Sequence, residues 1–487
     1  MRRPLLLLTL VALLAAACGG DEASDPPGGA SPDDTTSTDT QSADATTPDE
    51  PSGEPETTGD PDTSVNGEPA SISDPLFQPN CPGDGDLSDS ATGVTATTIK
   101  LGIAQSDWAE LANLGLAQVN RGERGEVAEA LLAELNENGG ICGRTVEFVQ
   151  AYNLPFGTET ALASCLELTQ DEQVFAVIGG YGGQGTQAAN LCVTEAQDTA
   201  LVGANFTQSE RDQATAPWVT TDLGTDRRAA TLVAAIEAEG LLDQFANVAV
   251  HSDIDSQATV DETLVPALEA AGVNVVERTV LDVPPGDVQA GIPAWRTFLE
   301  LYRSKQVDAV FLEGDVAFAF EQLVQSGLDV TVFASNQSAL SSAFDQSSDR
   351  NALTGISLES PFEHENRNDR MDECWNVFTR RTGIEIVGPS DLPDDEINWY
   401  TPVSVMCRNL DLFVQLAAAA GPELTNETLQ AAIDGFGPIE LPNQAFASFG
   451  DGKYDAQDGV VLTQFDPSAG IEGDFVPISD IIDTATG

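Results

Sequence analysis

Short runs of β-branched and aliphatic residues alternate with longer helical patterns from Thr98 onward, and the alternation begins again after Trp218. Such an alternation is typical of right-handed βαβ units that build a parallel sheet. Because it occurs twice, the sequence predicts an α/β protein with two lobes, each with its own parallel sheet. Ligands of such open sheets bind in the cleft outside the carboxyl ends of the strands.

The predicted elements follow this pattern in both halves of the chain. In the first half we expect strands over residues 99–103, 145–151, 174–178 and 201–204, and helices over residues 125–138, 159–170 and 186–197. In the second half we expect strands over residues 248–251, 273–280, 309–312 and 330–334, and helices over residues 226–239, 257–271, 293–304 and 318–327. Glycines are common just past helix ends, and Gly139 and Gly140 are expected to end the first helix.

The N-terminus has the features of an export signal. Arg2 and Arg3 precede an apolar run over residues 5–17, which is too short to span a bilayer and fits the h-region of a signal peptide. Small residues flank Cys18, and this arrangement resembles a bacterial lipobox. The resemblance implies a signal peptide over residues 1–17 and a diacylated Cys18, so that the protein is extracytoplasmic and anchored to the cell membrane as a lipoprotein. An ordinary signal peptide with an incidental cysteine, or twin-arginine export, is the alternative.

Residues 18–80 have the composition of a disordered acidic tether. The segment consists mainly of Asp, Glu, Thr, Ser, Pro and Gly, and no lysine or arginine occurs between Arg3 and Lys100. Such a composition cannot bury enough apolar surface to offset the entropy of ordering the chain. A flexible chain of about 60 residues has an end-to-end distance of roughly 40–45 Å, which would hold a folded body clear of the membrane. A mucin-like adhesive stalk is the alternative.

The formal net charge of −59 restricts the partners of the chain. Only Lys100, Lys305 and Lys453 supply lysine side chains. An excess of acids of this size disfavours binding to nucleic acid and to anionic membrane surfaces. It is also compatible with a saline habitat, and folding that stays unchanged from low to molar salt would contradict that hypothesis.

Apart from Cys18, the chain has six cysteines, an even number that indicates disulfides in an exported protein. Six cysteines allow fifteen pairings. We expect neighbours in sequence to pair, as Cys81–Cys142, Cys165–Cys192 and Cys374–Cys407. A metal site is not expected, because the sequence contains no CxxC or Cys/His spacing.

Several segments in a fixed order resemble one family of binding proteins. These segments cover residues 93–103, 135–144, 174–179, 307–312 and 399–421. Together they resemble type I periplasmic binding proteins, the receptors of ABC importers for branched-chain amino acids, amides and urea. The spacing of Cys165 and Cys192 also resembles a disulfide of that family. The similarity extends over about residues 93–480, nearly the whole folded part.

The resemblance implies two Rossmann-like lobes joined by a hinge that the chain crosses three times. The crossings are expected near residues 205–223, 336–360 and 446–454. Residues 81–220 and 356–445 would form the first lobe, and residues 221–355 and 446–487 would form the second. Ligand would be trapped as the lobes close about the hinge.

The implied function is that of a receptor, not of an enzyme. A monomeric, membrane-anchored protein without a cofactor would capture a small polar ligand, such as an amino acid, an amide or a urea-like compound, and deliver it to the permease subunits of an ABC transporter. A surface protein that senses ligand without transport is one alternative. An extracellular enzyme or a purely structural protein borne on a stalk are the others.

The glycine-rich loop over residues 180–185 is the first candidate ligand site. It matches GxGxxG, but Asn205 stands where a dinucleotide site has its acidic residue. Exposed N–H groups before a helix can instead hold a carboxylate, and the resemblance assigns that role to this loop. The predicted contacts are Gly182, Gly183 and Gln184, with Tyr181 on the same wall.

Two further loops of the first lobe follow predicted strands. Ser106, Asp107 and Trp108 come after the first strand, and Ala204 and Asn205 come after the fourth. The Trp108 ring could cover the apolar part of a ligand or stack on a cation, and packing at the lobe edge is the alternative. The amide of Asn205 could donate and accept hydrogen bonds in the cleft.

Polar side chains also follow the strands of the second lobe. The candidates are Asp253, Asp255, Glu313, Asp315 and Asn336. One of the acids could pair with a ligand ammonium group, since a buried unpaired charge is costly. These acids, and the scarcity of bases, favour a ligand with a cationic or hydrogen-bond-donating group, with an uncharged amide as the alternative.

Three observations limit the chemistry of this second lobe. The family has Tyr-Gly where this chain has Ser256 and Gln257, which puts an amino-acid ligand in doubt. A calcium site at His251, Asp253 and Asp255 is not expected, because the glycine and glutamate of such a loop are absent. Nucleophilic catalysis is not expected either, since His251 and His364 are the only histidines and no G-x-S-x-G occurs.

Overall fold

The computed structural model describes residues 75–82, 85–113, 121–155, 157–183, 185–284, 288–362, 367–388, 392, 396–469 and 473–485. The predicted signal peptide, the lipidation site Cys18 and the tether up to residue 74 lie outside the described residues. Gln184 and His364 lie outside them as well.

The first lobe is built on a five-stranded parallel sheet with the order β2-β1-β3-β4-β5. Its strands are β1 (Thr98–Ser106), β2 (Thr145–Asn153), β3 (Ala176–Ile178), β4 (Ala200–Val202) and β5 (Trp218–Val219). Ile99, Leu101 and Ile103 of β1 are fully buried, as expected for a central strand covered by helices on both faces. The four strands predicted in this half are confirmed.

Helices from two distant parts of the chain cover this sheet. They are α1 (Trp108–Asn113), α2 (Arg124–Glu137), α3 (Thr158–Leu166), α4 (Gln187–Leu191), α5 (Gln208–Gln213), α12 (Asp369–Thr382), α13 (Tyr400–Ala420) and α14 (Asn426–Gly435). Helices α3 and α4 continue into the π-helical turns Glu167–Asp171 and Cys192–Ala196. One core cluster unites α2, α12 and α13 with one face of the sheet, and a second lies under α3 and α4.

Helix α13 is long and apolar enough to cross a membrane by length and composition alone. However, 72% of its apolar window is buried inside the protein. Leu410, Leu412 and Phe413 have no exposed surface and belong to the first core cluster. The helix is therefore a core helix of the first lobe.

The second lobe contains an eight-stranded sheet in which the order β14-β13-β10-β9-β8-β6-β7 is joined by β15 against β13. The strands are β6 (Val248–Asp253), β7 (Val275–Leu281), β8 (Ala309–Glu313), β9 (Thr331–Ala334), β10 (Thr354–Glu359), β13 (Gly459–Asp466), β14 (Asp474–Pro477) and β15 (Ile482–Asp483). Strands β6 to β10 are parallel to one another, whereas β13 pairs antiparallel with β10, β14 and β15.

Helices cover both faces of the second sheet. They are α6 (Thr225–Ala238), α7 (Gln257–Thr259), α8 (Val265–Ala270), α9 (Val288–Lys305), α10 (Val316–Ser326) and α11 (Gln337–Gln346), with the π-helical turn Val260–Leu264 between α7 and α8 and a 3₁₀ turn at Leu242–Gln244. Trp295, Phe320 and Phe344 lie in the core under α9 to α11, whereas Leu232 and Leu264 lie in the core under α6 to α8. A small hairpin of β11 (Gly437–Pro438) and β12 (Ser448–Phe449) precedes β13.

Two predicted boundaries need correction. Strand β10 belongs to the second sheet, so the boundary predicted between residues 355 and 356 falls inside this strand, and the chain leaves the sheet only after Glu359. At the N-terminal side, Leu76 and Phe77 are 3% and 1% exposed and join the first core cluster. The segment predicted as a tether up to residue 80 therefore overlaps the folded part.

A buried ion network ties residues 453–458 to the start of α6. The Asp455 carboxylate accepts a hydrogen bond of 2.7 Å from Gly224 N–H and pairs with Arg227. Arg227 also lies 2.9 Å from a carboxylate oxygen of Asp458, and Lys453 Nζ lies 3.2 Å from the same residue. Because both carboxylates are almost fully buried, their cations are required to offset the loss of hydration.

All three predicted disulfides are formed. Cys81–Cys142 fastens the start of the described chain to the turn before β2, and Cys165–Cys192 joins α3 to the turn after α4. Cys374–Cys407 joins α12 to α13. All three lie in the first lobe, where in the chain-entropy account each closed loop stabilises by reducing the freedom of the unfolded chain.

Candidate functional site

Each sheet has a switch point, where consecutive strands run to opposite sides. In the first sheet it lies between β1 and β3, because β2 is on the other side of β1, and in the second sheet it lies between β6 and β8. Loops at the carboxyl ends of such strands diverge and leave a crevice for a ligand. The two crevices meet, since Asp255 after β6 accepts a hydrogen bond of 2.9 Å from Gly185 N–H after β3.

Arg124, the first residue of α2, lies across the switch point of the first lobe. Its Nη1 donates a hydrogen bond of 3.0 Å to the carbonyl oxygen of Ala104 in β1. The same atom would lie 2.9 Å from a Cβ added at Gly179, which directly follows β3. Burial, reinforced by the charge of the nearby Arg121, lowers the pKa of Arg124 to about 10.

Arg121 lies beside it and extends the basic surface toward Trp108. Its guanidinium carbon is 4.5 Å from the centroid of the Trp108 ring, a cation–π arrangement. The buried Nε of Arg121 has no hydrogen-bond partner, and burial lowers the pKa of the side chain. Among the described residues, no carboxylate lies within 4.0 Å of Arg121 or Arg124.

Glu123 stands between the two arginines in sequence but is held by neutral donors. Its Oε2 accepts hydrogen bonds from Gln105, from Gln150 Nε2 at 3.2 Å and from Tyr152 Oη at 3.2 Å. Gln105 in turn accepts a hydrogen bond of 2.5 Å from the backbone N–H of Arg124. This network directs the carboxylate toward the ends of β1 and β2.

The second lobe presents two buried acids at its own switch point. Glu313 ends β8, and its Oε2 accepts a hydrogen bond of 3.0 Å from Ser335 Oγ, whereas its buried Oε1 has no partner. Burial raises the pKa of Glu313, against the effect of the nearby Arg228. Asp253 ends β6 and accepts a hydrogen bond of 2.8 Å from Ser256 N–H, and burial raises the pKa of Asp253 as well. A cation or a hydrogen-bond donor next to these two acids would stabilise their charged forms.

The glycine loop after β3 is partly committed to the opposite lobe. Gly182 and Gly183 are exposed, and the N–H of Gly185 is bonded to Asp255. Asp255, predicted to pair with a ligand ammonium group, therefore contacts the other lobe in this structure. Gly183 has a φ of +117°, a conformation that favours glycine.

The prediction that Tyr181 lines the cleft needs correction, because its side chain belongs to the core and not to the cleft wall. The residue is 4% exposed, and its hydroxyl shares a hydrogen bond of 3.0 Å with Ser164. Its backbone N–H donates to Asn190 Oδ1 at 2.9 Å. Burial raises the pKa of Tyr181 to about 12.

The other predicted residues of the first lobe lie at the strand ends. Ser106 is the last residue of β1, and Asp107 Oδ1 accepts a hydrogen bond of 2.8 Å from Glu110 N–H at the start of α1. Ala204 is buried, with its carbonyl bonded by the Trp218 ring N–H at 2.9 Å. Asn205 is exposed, and its Oδ1 accepts 3.1 Å from Thr220.

The remaining candidates of the second lobe cap helices. Asp315 accepts from Phe318 N–H at 3.4 Å before α10, and Asn336 accepts from Ala339 N–H at 3.2 Å before α11. Both side chains therefore stabilise the local fold. Within the described residues, no group of three or more His, Cys, Asp or Glu side chains is arranged to hold a metal ion.

The sequence predictions missed the basic residues of the cleft. Arg121, Arg124 and Arg228 were not among the candidates, nor was Ser335, whose Oγ is 3.3 Å from Arg228 Nε. A signal was available, because Arg124 and Arg228 occupy the first turns of α2 and α6, where the helix dipole disfavours cations. Arginine at such a place needs a partner other than its own helix.

Comparison with known families agrees with this arrangement. The family described as periplasmic binding protein matches residues 118–469, well over half of the chain. The chain belongs to this family. The solved structures that share its fold include a type I periplasmic binding protein from Bordetella pertussis and substrate-binding proteins of ABC transporters. The comparison with curated proteins finds no match.

Solved structures of periplasmic binding proteins share the fold at low identity. An ABC transporter substrate-binding protein from Desulfitobacterium hafniense in complex with leucine is 18% identical, with a TM-score of 0.52, and the match covers 78% of this chain and 100% of that one. A solute-binding protein from R. palustris in complex with 4-hydroxybenzoate is 15% identical, with a TM-score of 0.56, and the match covers 80% of this chain and 98% of that one. A fatty acid ABC transporter substrate-binding protein from Thermomonospora curvata is 15% identical, with a TM-score of 0.55, and the match covers 80% of this chain and 94% of that one.

Proposed function

We propose that this periplasmic binding protein is an extracytoplasmic receptor that captures a small polar solute between its lobes and delivers it to an ABC permease. The main support is the set of buried polar atoms without partners at the two switch points. Within the part of the chain that the structure describes, Arg121 Nε in one lobe and Glu313 Oε1 in the other have none. Buried polar atoms are normally hydrogen-bonded, and a bound solute would supply the missing partners.

The division of these groups between the lobes supports capture by closure. A solute that contacts Arg121 and Glu313 at once can do so only when the lobes are together. Its contacts would therefore stabilise the closed form over the open form, as ligand-driven closure requires. A permease could then distinguish the loaded receptor by its shape.

The proteins with similar folds indicate the kind of solute. Two were solved with leucine and with 4-hydroxybenzoate, and a third is named for fatty acids. All three are small organic molecules. We propose a solute of this size, with amino acids, amides and urea-like compounds included.

Attachment to the membrane through lipid on Cys18 completes the proposal. Two acyl chains give stable anchoring, since each buried CH₂ contributes about 0.8 kcal/mol. The acidic segment after Cys18 would act as the tether. Cys18→Ser should release the protein from the membrane fraction, and continued membrane association of this variant would contradict the anchor.

The receptor function is tested by closure and binding in the full chain. Spin labels on the two lobes should approach each other when a solute mixture is added. Glu313→Gln should weaken both responses, whereas Glu300→Gln, which changes an exposed acid of α9, should not. Chemical turnover of the bound solute, or no response to any solute, would contradict the proposal.

A further inference from the structure

Arg121 and Arg124 in the first lobe have no carboxylate within 4.0 Å among the described residues, although the chain contains 79 acidic and 20 basic residues. Elsewhere in the described chain, basic side chains usually contact a carboxylate, as in the pair of Arg370 with Asp411 and the pair of Arg381 with Glu137. Among the described residues, the carbonyl of Ala104 is the one acceptor for the side chain of Arg124, and the Trp108 ring is the one contact given for that of Arg121. The surroundings of these two arginines therefore differ from those of most basic side chains in the described chain.

Both guanidinium groups lie where a ligand would bind. Arg124 crosses the carboxyl ends of β1 and β3 beside Gly179, and Arg121 stacks on Trp108, which begins α1 two residues after the end of β1. These are the two strands that form the switch point of the first sheet. A structural role would more often bury such groups against carbonyls, as in Arg144, which donates to three backbone oxygens.

Two acids near this pair in sequence make no ion pair with either guanidinium group. Glu123 is bonded by three neutral donors, and Asp107 caps α1 through Glu110 N–H. The two guanidinium groups also repel each other, in a partly buried site that offers little water. An anion between them would remove the repulsion and supply acceptors for the unused N–H groups.

We propose that the solute is an organic acid whose carboxylate is bound by Arg121 and Arg124. The proposal rests on the receptor function proposed above and narrows its substrate class. Arginine suits this role, because its planar fork matches both oxygens of a carboxylate. The Trp108 ring provides an apolar surface next to the anion, where the body of the solute can pack.

The opposite lobe restricts the other end of the solute. Glu313 and Asp253 lie there, and the free Oε1 of Glu313 is an acceptor. A second carboxylate at that end would face the two acids Glu313 and Asp253, with Arg228 as the described cation beside them, whereas a hydroxyl or ammonium group would be stabilised. The expected solute is therefore a monocarboxylic acid with a hydrogen-bond donor at its far end, and dicarboxylates are expected to bind poorly.

The test compares each acid with its amide on the full chain by isothermal titration calorimetry. The pairs are 4-hydroxybenzoate with 4-hydroxybenzamide, and leucine with leucinamide. An acid should bind and its amide should bind at least about tenfold more weakly, as expected when a charge-assisted hydrogen bond is lost. Arg124→Gln should weaken the acid by about 10- to 100-fold and remove the preference over the amide, with Arg121→Gln acting in the same direction.

Two controls keep the result interpretable. Arg278→Gln removes the same charge from an exposed ion pair on β7 and should leave affinity unchanged. Arg124→Lys, with melting and circular dichroism measured for every variant, separates loss of the fork from loss of the fold. Equal binding of an acid and its amide, or binding unaffected by both glutamine variants, would overturn the carboxylate site and leave the receptor function standing. Failure of every solute to bind would count against both.

Discussion

Acidification is expected to destabilise the second lobe through His251, the buried imidazole of β6. The residue has no exposed surface, its Nδ1 shares a hydrogen bond of 2.9 Å with Thr279 Oγ1, and its Nε2 has no partner. The Trp295 ring lies 4.4 Å away between centroids. Burial lowers the pKa of His251 from 6.5 to about 3, so the folded protein keeps the imidazole neutral where the unfolded chain protonates it.

The difference between the two pKa values gives the size of this effect. Because the folded pKa is the lower one, the stabilisation is complete above a pH of about 6.5 and is lost as the pH falls toward 3. One pKa unit corresponds to about 1.36 kcal/mol. Between pH 8 and pH 5, the contribution of His251 to the free energy of unfolding should therefore fall by about 2 kcal/mol.

Urea unfolding of the wild type and of His251→Phe at both pH values measures this contribution. Phenylalanine keeps a ring at the site but cannot be protonated, so the variant should lose about 2 kcal/mol less than the wild type on acidification. Buried acids such as Asp253 and Glu313 are present in both proteins, and their contributions cancel in the comparison. Equal losses in the two proteins would refute the reasoning.

Two further predictions concern the loop after β3. Gly183→Ala should lower both the melting temperature and the affinity for solute, because an added Cβ would lie 2.0 Å from the Pro155 carbonyl oxygen. Gly182→Ala is the control, since a Cβ added there meets nothing within 4 Å, and it should change neither value in thermal-shift and calorimetric measurements. Asp255→Ala removes the acceptor of Gly185 N–H and should increase the distance between spin labels on the two lobes without solute; an unchanged distance would show that this bond does not hold the lobes together.

The fold could be predicted largely because its signals are local. The eight predicted strands are all present, and so are the helices predicted between them. Strands β5 and β10 to β15 were not predicted; of these, β10 (Thr354–Glu359) contains Gly355, a weak strand former. The structure explains this glycine, because an added Cβ would lie 2.4 Å from the Phe344 ring, against which the strand packs. Such a long-range contact leaves no pattern in the strand itself.

The candidate site was predicted only in part. Position after a parallel strand correctly placed Asp253 and Glu313 at the end of the second sheet. The same rule failed for Tyr181, because a side chain next to the cleft can still turn into the core when a partner such as Ser164 is available there. Position along a strand identifies the edge of the sheet but not the direction of each side chain.

The two arginines of the cleft bear on how far composition can predict the ligand. A net charge of −59 favours cationic partners at long range, and the acids after the second-lobe strands pointed the same way. Yet salt screens exposed charges beyond about 10 Å, whereas a solute in the cleft interacts with the few groups that touch it. In the proposed carboxylate site, the contacting groups are Arg121 and Arg124, and the excess of acids is remote from them. On that proposal, the overall charge describes the surroundings of the cleft, whereas these two arginines select the solute.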